Sequence, residues 1–148
     1  MRSFRTRLPL RPAKVVVHEV RTAEQIASAI NSAKASGSAA LNVLATPLFF
    51  NNTQIIFERT AALRLPAIYQ WPEMAGDGGL IAYGPSIMKI YRRQLAPMLG
   101  KLLRGARPAE LPVEQPTGFD LVTNLLTAKA LGITVPPSLL ARADEVIE

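Results

Sequence analysis

The chain has 148 residues and a mass of 16.1 kDa, which fits one domain or a piece of one. With 49 % apolar and 19 % charged residues it can bury a sizeable core and is neither disordered nor fibrous in composition. The absence of cysteine and the single histidine exclude a disulfide framework, a thiolate nucleophile and a multi-histidine metal site, and no apolar run approaches the roughly 18 residues that span a bilayer.

The formal charge of +6 invites a nucleic-acid reading, but its position argues against one. Six bases (Arg2, Arg5, Arg7, Arg11, Lys14, Arg21) and one acid, Glu19, lie between Met1 and Arg21, whereas the other 127 residues hold 11 bases and 10 acids. The basicity belongs to a tail, and Met1–Ala13 is expected to be an unstructured basic leader. It has the positive start of an export signal without the apolar stretch of roughly 7–15 residues that should follow. If the chain is complete, a cytoplasmic location follows. The alternative use of these arginines, a phosphate-binding arm on nucleic acid, would make binding strongly salt-dependent.

The β-branched run Lys14–Val20 predicts a first, buried strand. Thr22, with Gln25 three residues on, has the pattern of a capping box, and Ile26, Ala29, Ile30 and Ala33 follow at helical spacing up to a stop at Gly37. Ala40–Ala45 predicts a second strand, ended by Pro47. Asn51 or Asn52 opens a second helix with Ile55, Ile56, Ala62 and Leu63 on its apolar face, and Pro66 leads into a third strand, Ala67–Tyr69. A fourth, Leu80–Tyr83, follows a glycine-rich turn. Short apolar strands alternating with amphipathic helices predict an α/β fold: a Rossmann-like, three-layer lobe with a mostly parallel sheet. In such sheets ligands sit beyond the carboxyl ends of the strands. Here those ends are Thr46–Phe50, Gln70–Gly79 and Gly84–Ser86.

Ser86 caps a third helix whose apolar residues Ile87, Tyr91, Leu95, Met98, Leu99 and Leu102 share one face. Pro97 lies inside it and predicts a kink or two shorter helices. Gly105 ends the helix, and residues 106–118, with three prolines, read as an extended connector. Phe119–Thr123 is strand-like, Asn124 caps a short helix stopped by Gly132, and Pro136-Pro137 begins a last helix, with Leu139, Leu140, Ala143, Val146 and Ile147 facing inward.

Little of this carries catalytic chemistry. His18, mid-strand, has no serine or carboxylate motif beside it and reads as a structural histidine rather than a general base. Gly76-Asp77-Gly78-Gly79 lacks the Lys-Ser/Thr of a phosphate loop and reads as a turn. A nucleophile elbow is absent. The acids Glu110, Glu114, Asp144, Glu145 and Glu148 read as solvated faces. No enzyme activity, cofactor or metal is expected. Of nine aromatic residues, Phe49, Phe50, Tyr69, Trp71 and Tyr83 cluster at the predicted strand ends, where stacked rings with a polar tip suit a flat apolar solute as well as they suit ordinary rim packing.

The second half of the chain has a distinctive wording. Tyr83-Gly84-Pro85-Ser86, Tyr91-Arg92-Arg93, Leu102–Thr117 (with Leu111-Pro112-Val113-Glu114-Gln115-Pro116-Thr117) and Leu125–Glu148 (with Thr127-Ala128-Lys129-Ala130-Leu131-Gly132) occur in order. Together they resemble the C-terminal half of the solute-binding proteins of bacterial ABC uptake transporters, in the group labelled tryptophan/tyrosine-type. The resemblance implies one lobe of a type I periplasmic-binding fold, a small organic solute such as an aromatic amino acid as ligand, an ABC permease as partner, and a periplasmic location. Family members have two such lobes joined by hinge crossings. Relative to them this chain lacks the first lobe and the strand and helix that open the second. It also differs at Thr46, where an acid is frequent, and at Gln70-Trp71-Pro72-Glu73. By this resemblance residues 86–118 are the helix and connector that cross to the other lobe. Thr46, Phe49, Trp71 and Tyr83 are the candidate cleft residues, and the bare face of Ile87–Arg104 is expected to pair two copies as a homodimer. A remnant that folds but binds nothing is the other expectation the truncation raises.

Overall fold

The computed structural model describes residues 14–148; the basic leader expected over Met1–Ala13 lies outside them. Five short strands, β1 (Leu41–Val43), β2 (Ala67–Tyr69), β3 (Ile81–Gly84), β4 (Asp120–Asn124) and β5 (Glu145–Ile147), form one sheet in sequence order. β1, β2 and β3 are parallel, β4 is antiparallel to β3, and β5 is parallel to β4. The α/β class and the mostly parallel sheet expected from the sequence are present. The reversal at β4 has a local cause: the chain leaves at the carboxyl end of β3 and returns beside it, Gly84 opposite Asp120.

Side chains alternate across the sheet. Tyr69, Ala82 and Val122 are cross-strand neighbours on the front face, buried with Ile26 and Ile30 of α1 (Ala23–Ala35), Ile56 of α3 (Thr53–Ala62), and Met74 and Ala75 of α4 (Pro72–Gly76). On the reverse face Ile81 packs with Leu125 and Leu131 of α7 (Leu125–Leu131) and with Leu139 and Leu140 of α8 (Pro137–Leu140). That cover stops short. Ile68, beside Ile81 on the same face, is 37 % exposed, and Asn42 beside it is exposed too. The sheet is covered on both faces over β3–β5, apart from Tyr83 at the carboxyl end of β3, and on one face over β1–β2.

Local chemistry sets most boundaries. Thr46 Oγ1 accepts from the Phe49 N–H at 3.1 Å and starts α2 (Pro47–Phe50). Asn124 Oδ1 accepts from Thr127 N–H at 3.0 Å, and Gly132, in the left-handed region at φ +71°, stops α7. Pro97 splits its helix as expected: α5 (Ile87–Ile90) and α6 (Ala96–Leu103) are joined by a π-helical turn over Tyr91–Leu95. The Ala96 N–H reaches back five residues to the Tyr91 carbonyl, a wider winding that accommodates a ring with no N–H to donate.

Three expectations are corrected. Lys14–Val20 forms no strand; Val15 and Val17 are 82 % and 78 % exposed, and only Val20 packs on the core. β-branched residues favour a ladder only where a partner strand stands, and β1 pairs with β2 alone. The Thr22 side chain makes no cap bond; Gln25 Oε1 accepts instead from the Arg21 N–H at 2.9 Å. Finally, the last helix ends at Leu140, and Glu145–Ile147 is β5. Asp144 decides this, because its N–H donates to the Leu121 carbonyl and its carboxylate accepts from the Leu121 N–H, both at 2.8 Å.

Candidate functional site

The carboxyl ends of parallel β1, β2 and β3 lie on one edge of the sheet, with the start of β4 beside them. Thr46, at the end of β1, spends its oxygen on capping α2, which brings half-buried Phe49 against the core and leaves Phe50 41 % exposed. Trp71, at the end of β2, is half-buried against the same core and precedes Pro72, the first residue of α4. Gln70 Nε2 donates to Asn42 Oδ1 at 3.2 Å, tying the ends of β1 and β2 together. Tyr83, at the end of β3, is on the reverse face and 52 % exposed; its ring lies 5.8 Å from that of Phe119 at an interplanar angle of 31°. The four candidate residues therefore share one edge, with Phe49 and Trp71 against the front core and Tyr83 behind it.

Tyr69 does not belong to this rim. It is 1 % exposed, edge-on to Phe57 at 5.3 Å, and burial pushes its phenol up to about 12, with the Thr60 side chain opposing. The close fit of the edge depends on Gly84, where a Cβ would stand 1.8 Å from the Gln70 carbonyl oxygen. Gly78, at φ +121°, and Gly79 make the turn before β3, as expected of the glycine cluster.

Sequence reasoning missed the polar ties behind the rings. Glu73 Oε1 accepts from Ser86 Oγ at 2.7 Å and from the Met88 N–H at 3.3 Å, while its Oε2 is buried without a partner. Ser86 Oγ in turn accepts from the Lys89 N–H at 3.2 Å, and Lys89 Nζ pairs with Asp120 at 2.6 Å. Partners 13 and 31 residues apart leave no local signature. The edge thus presents ring faces, amides, a serine hydroxyl held by a carboxylate and a charge-balanced pair.

His18 lies elsewhere. Its Nε2 is buried without a partner, beside an open depression of about 630 Å³ lined by Val17, Glu19, Arg21, Gln25, Ser28 and Ser32. An open, mostly polar lining with the His18 imidazole as its one ring makes that depression a weaker candidate than the aromatic edge. Among the described residues there is no cluster of metal-ligating side chains and no helix long and apolar enough to cross a membrane.

The family profile of the ABC transporter substrate binding protein matches residues 1–147. The chain belongs to the ABC transporter substrate-binding protein family. This family captures solutes for a membrane permease, outside the cytoplasm, and is in general not catalytic. Solved structures agree with the fold. An ABC domain from Streptococcus pneumoniae in complex with L-Trp is 26 % identical with a TM-score of 0.75, covering 86 % of this chain and 43 % of that one. A conserved domain protein from Vibrio cholerae is 25 % identical at the same TM-score, covering 84 % of this chain and 42 % of its own. A ligand-free, open substrate-binding protein with adhesive properties from Clostridium difficile is 22 % identical with a TM-score of 0.60, covering 90 % and 44 %. The chain spans less than half the length of each. No curated protein matches its sequence.

Proposed function

We propose that the chain supplies one lobe of the solute-binding component of an ABC uptake transporter, and that Thr46, Phe49, Trp71 and Tyr83 contact a small organic solute with an aromatic or flat apolar part. The observation carrying this reading is the aromatic edge at the carboxyl ends of β1–β3, in a fold whose solved neighbour holds L-Trp. Thr46 keeps a hydroxyl proton to orient a polar tip, and the rings stack. A single lobe covers one side of a solute and cannot close over it, so binding is expected near 1 mM, or roughly −4 kcal/mol. Calorimetry with L-tryptophan, L-tyrosine and L-leucine tests this. Saturable millimolar binding of the aromatic pair, lost in Trp71→Ala, is expected. Micromolar binding would show that the second wall is dispensable, binding indifferent to Trp71→Ala and Tyr83→Ala would move the site elsewhere, and silence in every titration would leave the non-binding remnant.

Residues 86–118 form the segment proposed to cross to a companion lobe. α5, the π turn and α6 project from the sheet with Met88, Tyr91, Leu95, Leu99 and Leu103 between 42 % and 88 % exposed. In this chain alone, that stripe is proposed to pair with a second copy. The stripe is flanked by Arg92, Arg93, Lys101 and Arg104, which form no ion pair among the described residues. Two copies bring like charges together, so the homodimer should tighten as salt rises. Sedimentation at low and high ionic strength is the test; a monomer at both, or a dimer indifferent to Leu95→Glu with Leu99→Glu, excludes it.

A further inference from the structure

We infer that Glu73 is the positioning residue that locks the solute-facing loop to the projecting helix, so that contact at Trp71 is transmitted to the direction in which the helix leaves the lobe. The second half of this statement rests on the solute-binding reading; the lock itself does not.

The helix that begins at Ile87 has orphan N–H donors in its first turn. Ser86, its own N-cap, serves Lys89 at 3.2 Å. The Met88 N–H is served from another element, by Glu73 Oε1 at 3.3 Å, and the same oxygen takes the Ser86 hydroxyl proton at 2.7 Å. One carboxylate oxygen of α4 therefore holds both the cap residue and the first turn of the helix, with negative charge at the end that favours it. Glu73 is two residues beyond Trp71 on a five-residue helix whose Pro72, Met74 and Ala75 are buried, so the pair moves as a unit. Ser86 is three residues beyond Tyr83. A solute touching Trp71 and Tyr83 touches both elements that Glu73 joins.

Trp71 is the only tryptophan in the chain, so the lock can be read without solute. Amide exchange at Met88 and Lys89 and the emission and anisotropy of Trp71 are compared in the wild type, Glu73→Ala, Glu73→Gln and Ser86→Ala. Removing a charged acceptor should speed exchange at both amides about tenfold or more and shift the Trp71 signal. Glu73→Gln, which keeps an acceptor, should restore both, and Ser86→Ala should move both in the direction of Glu73→Ala. Faster exchange with an unchanged Trp71 signal would reduce Glu73 to a local cap and overturn the inference, as would no change in either. If Glu73→Ala fails to fold, Ser86→Ala decides by the same criterion. Silent solute titrations beside an intact lock would sink the solute reading alone.

Discussion

The two halves of the sheet have the same strand chemistry and different fates. Over β3–β5 each face has a cover, apart from Tyr83 at the rim: Leu80, Ala82, Val122 and Thr123 are buried, and Asn124 Nδ2 donates to the Ala75 carbonyl at 2.9 Å across the core. Over β1–β2 the front is covered by α1 and α3, but the reverse shows Ile68 and Asn42 to solvent, and among the described residues β1 has an unused edge. The far edge strand β5 is bordered by the acids Asp144, Glu145 and Glu148, which discourage pairing with another chain. β1, Leu41-Asn42-Val43, has no such guard, and the valine-rich segment that precedes α1 has no ladder partner among the described residues. What separates the halves is the presence of neighbours, not propensity.

Substitutions should magnify or erase that contrast. The largest effect is expected from Gly84→Ala, which drives a methyl group to 1.8 Å from the Gln70 carbonyl oxygen; about 4 kcal/mol or more, or failure to fold, should appear in denaturant unfolding. Asn124→Ala removes a buried amide and the α7 cap together and should cost about 2–3 kcal/mol by the same measurement. Tyr69 comes next. Its raised pKa means the folded state holds the phenolic proton more tightly than the unfolded state, so its contribution is complete below pH 10 and lost as pH rises toward about 12. That loss amounts to roughly 2–3 kcal/mol, seen as alkaline unfolding coincident with tyrosinate absorbance. On the open half, Ile68→Thr should change stability by about 0.5 kcal/mol or less; a loss as large as that of Asn124→Ala would show the reverse face of β2 to be covered in solution.

Features coded within a few residues were legible. Ser86 and Asn124 cap their helices, Gly132 stops α7, Pro97 divides its helix, and Ala67–Tyr69 is a strand with its predicted bounds. Features decided across the chain were not. Leu139, Leu140, Ala143, Val146 and Ile147 have helical spacing, yet two hydrogen bonds between Asp144 and Leu121 draw the terminus into the sheet. The valines after Lys14 have strand composition but lack the neighbour that composition presupposes. At the candidate site the rings at the strand ends were readable from position. Tyr69 was misjudged because alternation along β2 turns it into the core, and Glu73 was passed over because its partners follow in a later segment.

The widened turn over Tyr91–Leu95 also bears on how such an arm could be shortened. A winding that already accommodates a surplus residue keeps Leu99 and Leu103 in phase with Met88, so one deletion there could relax it into an ordinary spiral without turning the apolar stripe. A single codon could thus be lost from the arm while the compass bearing of its greasy seam, the sheet and its aromatic rim stayed as they are.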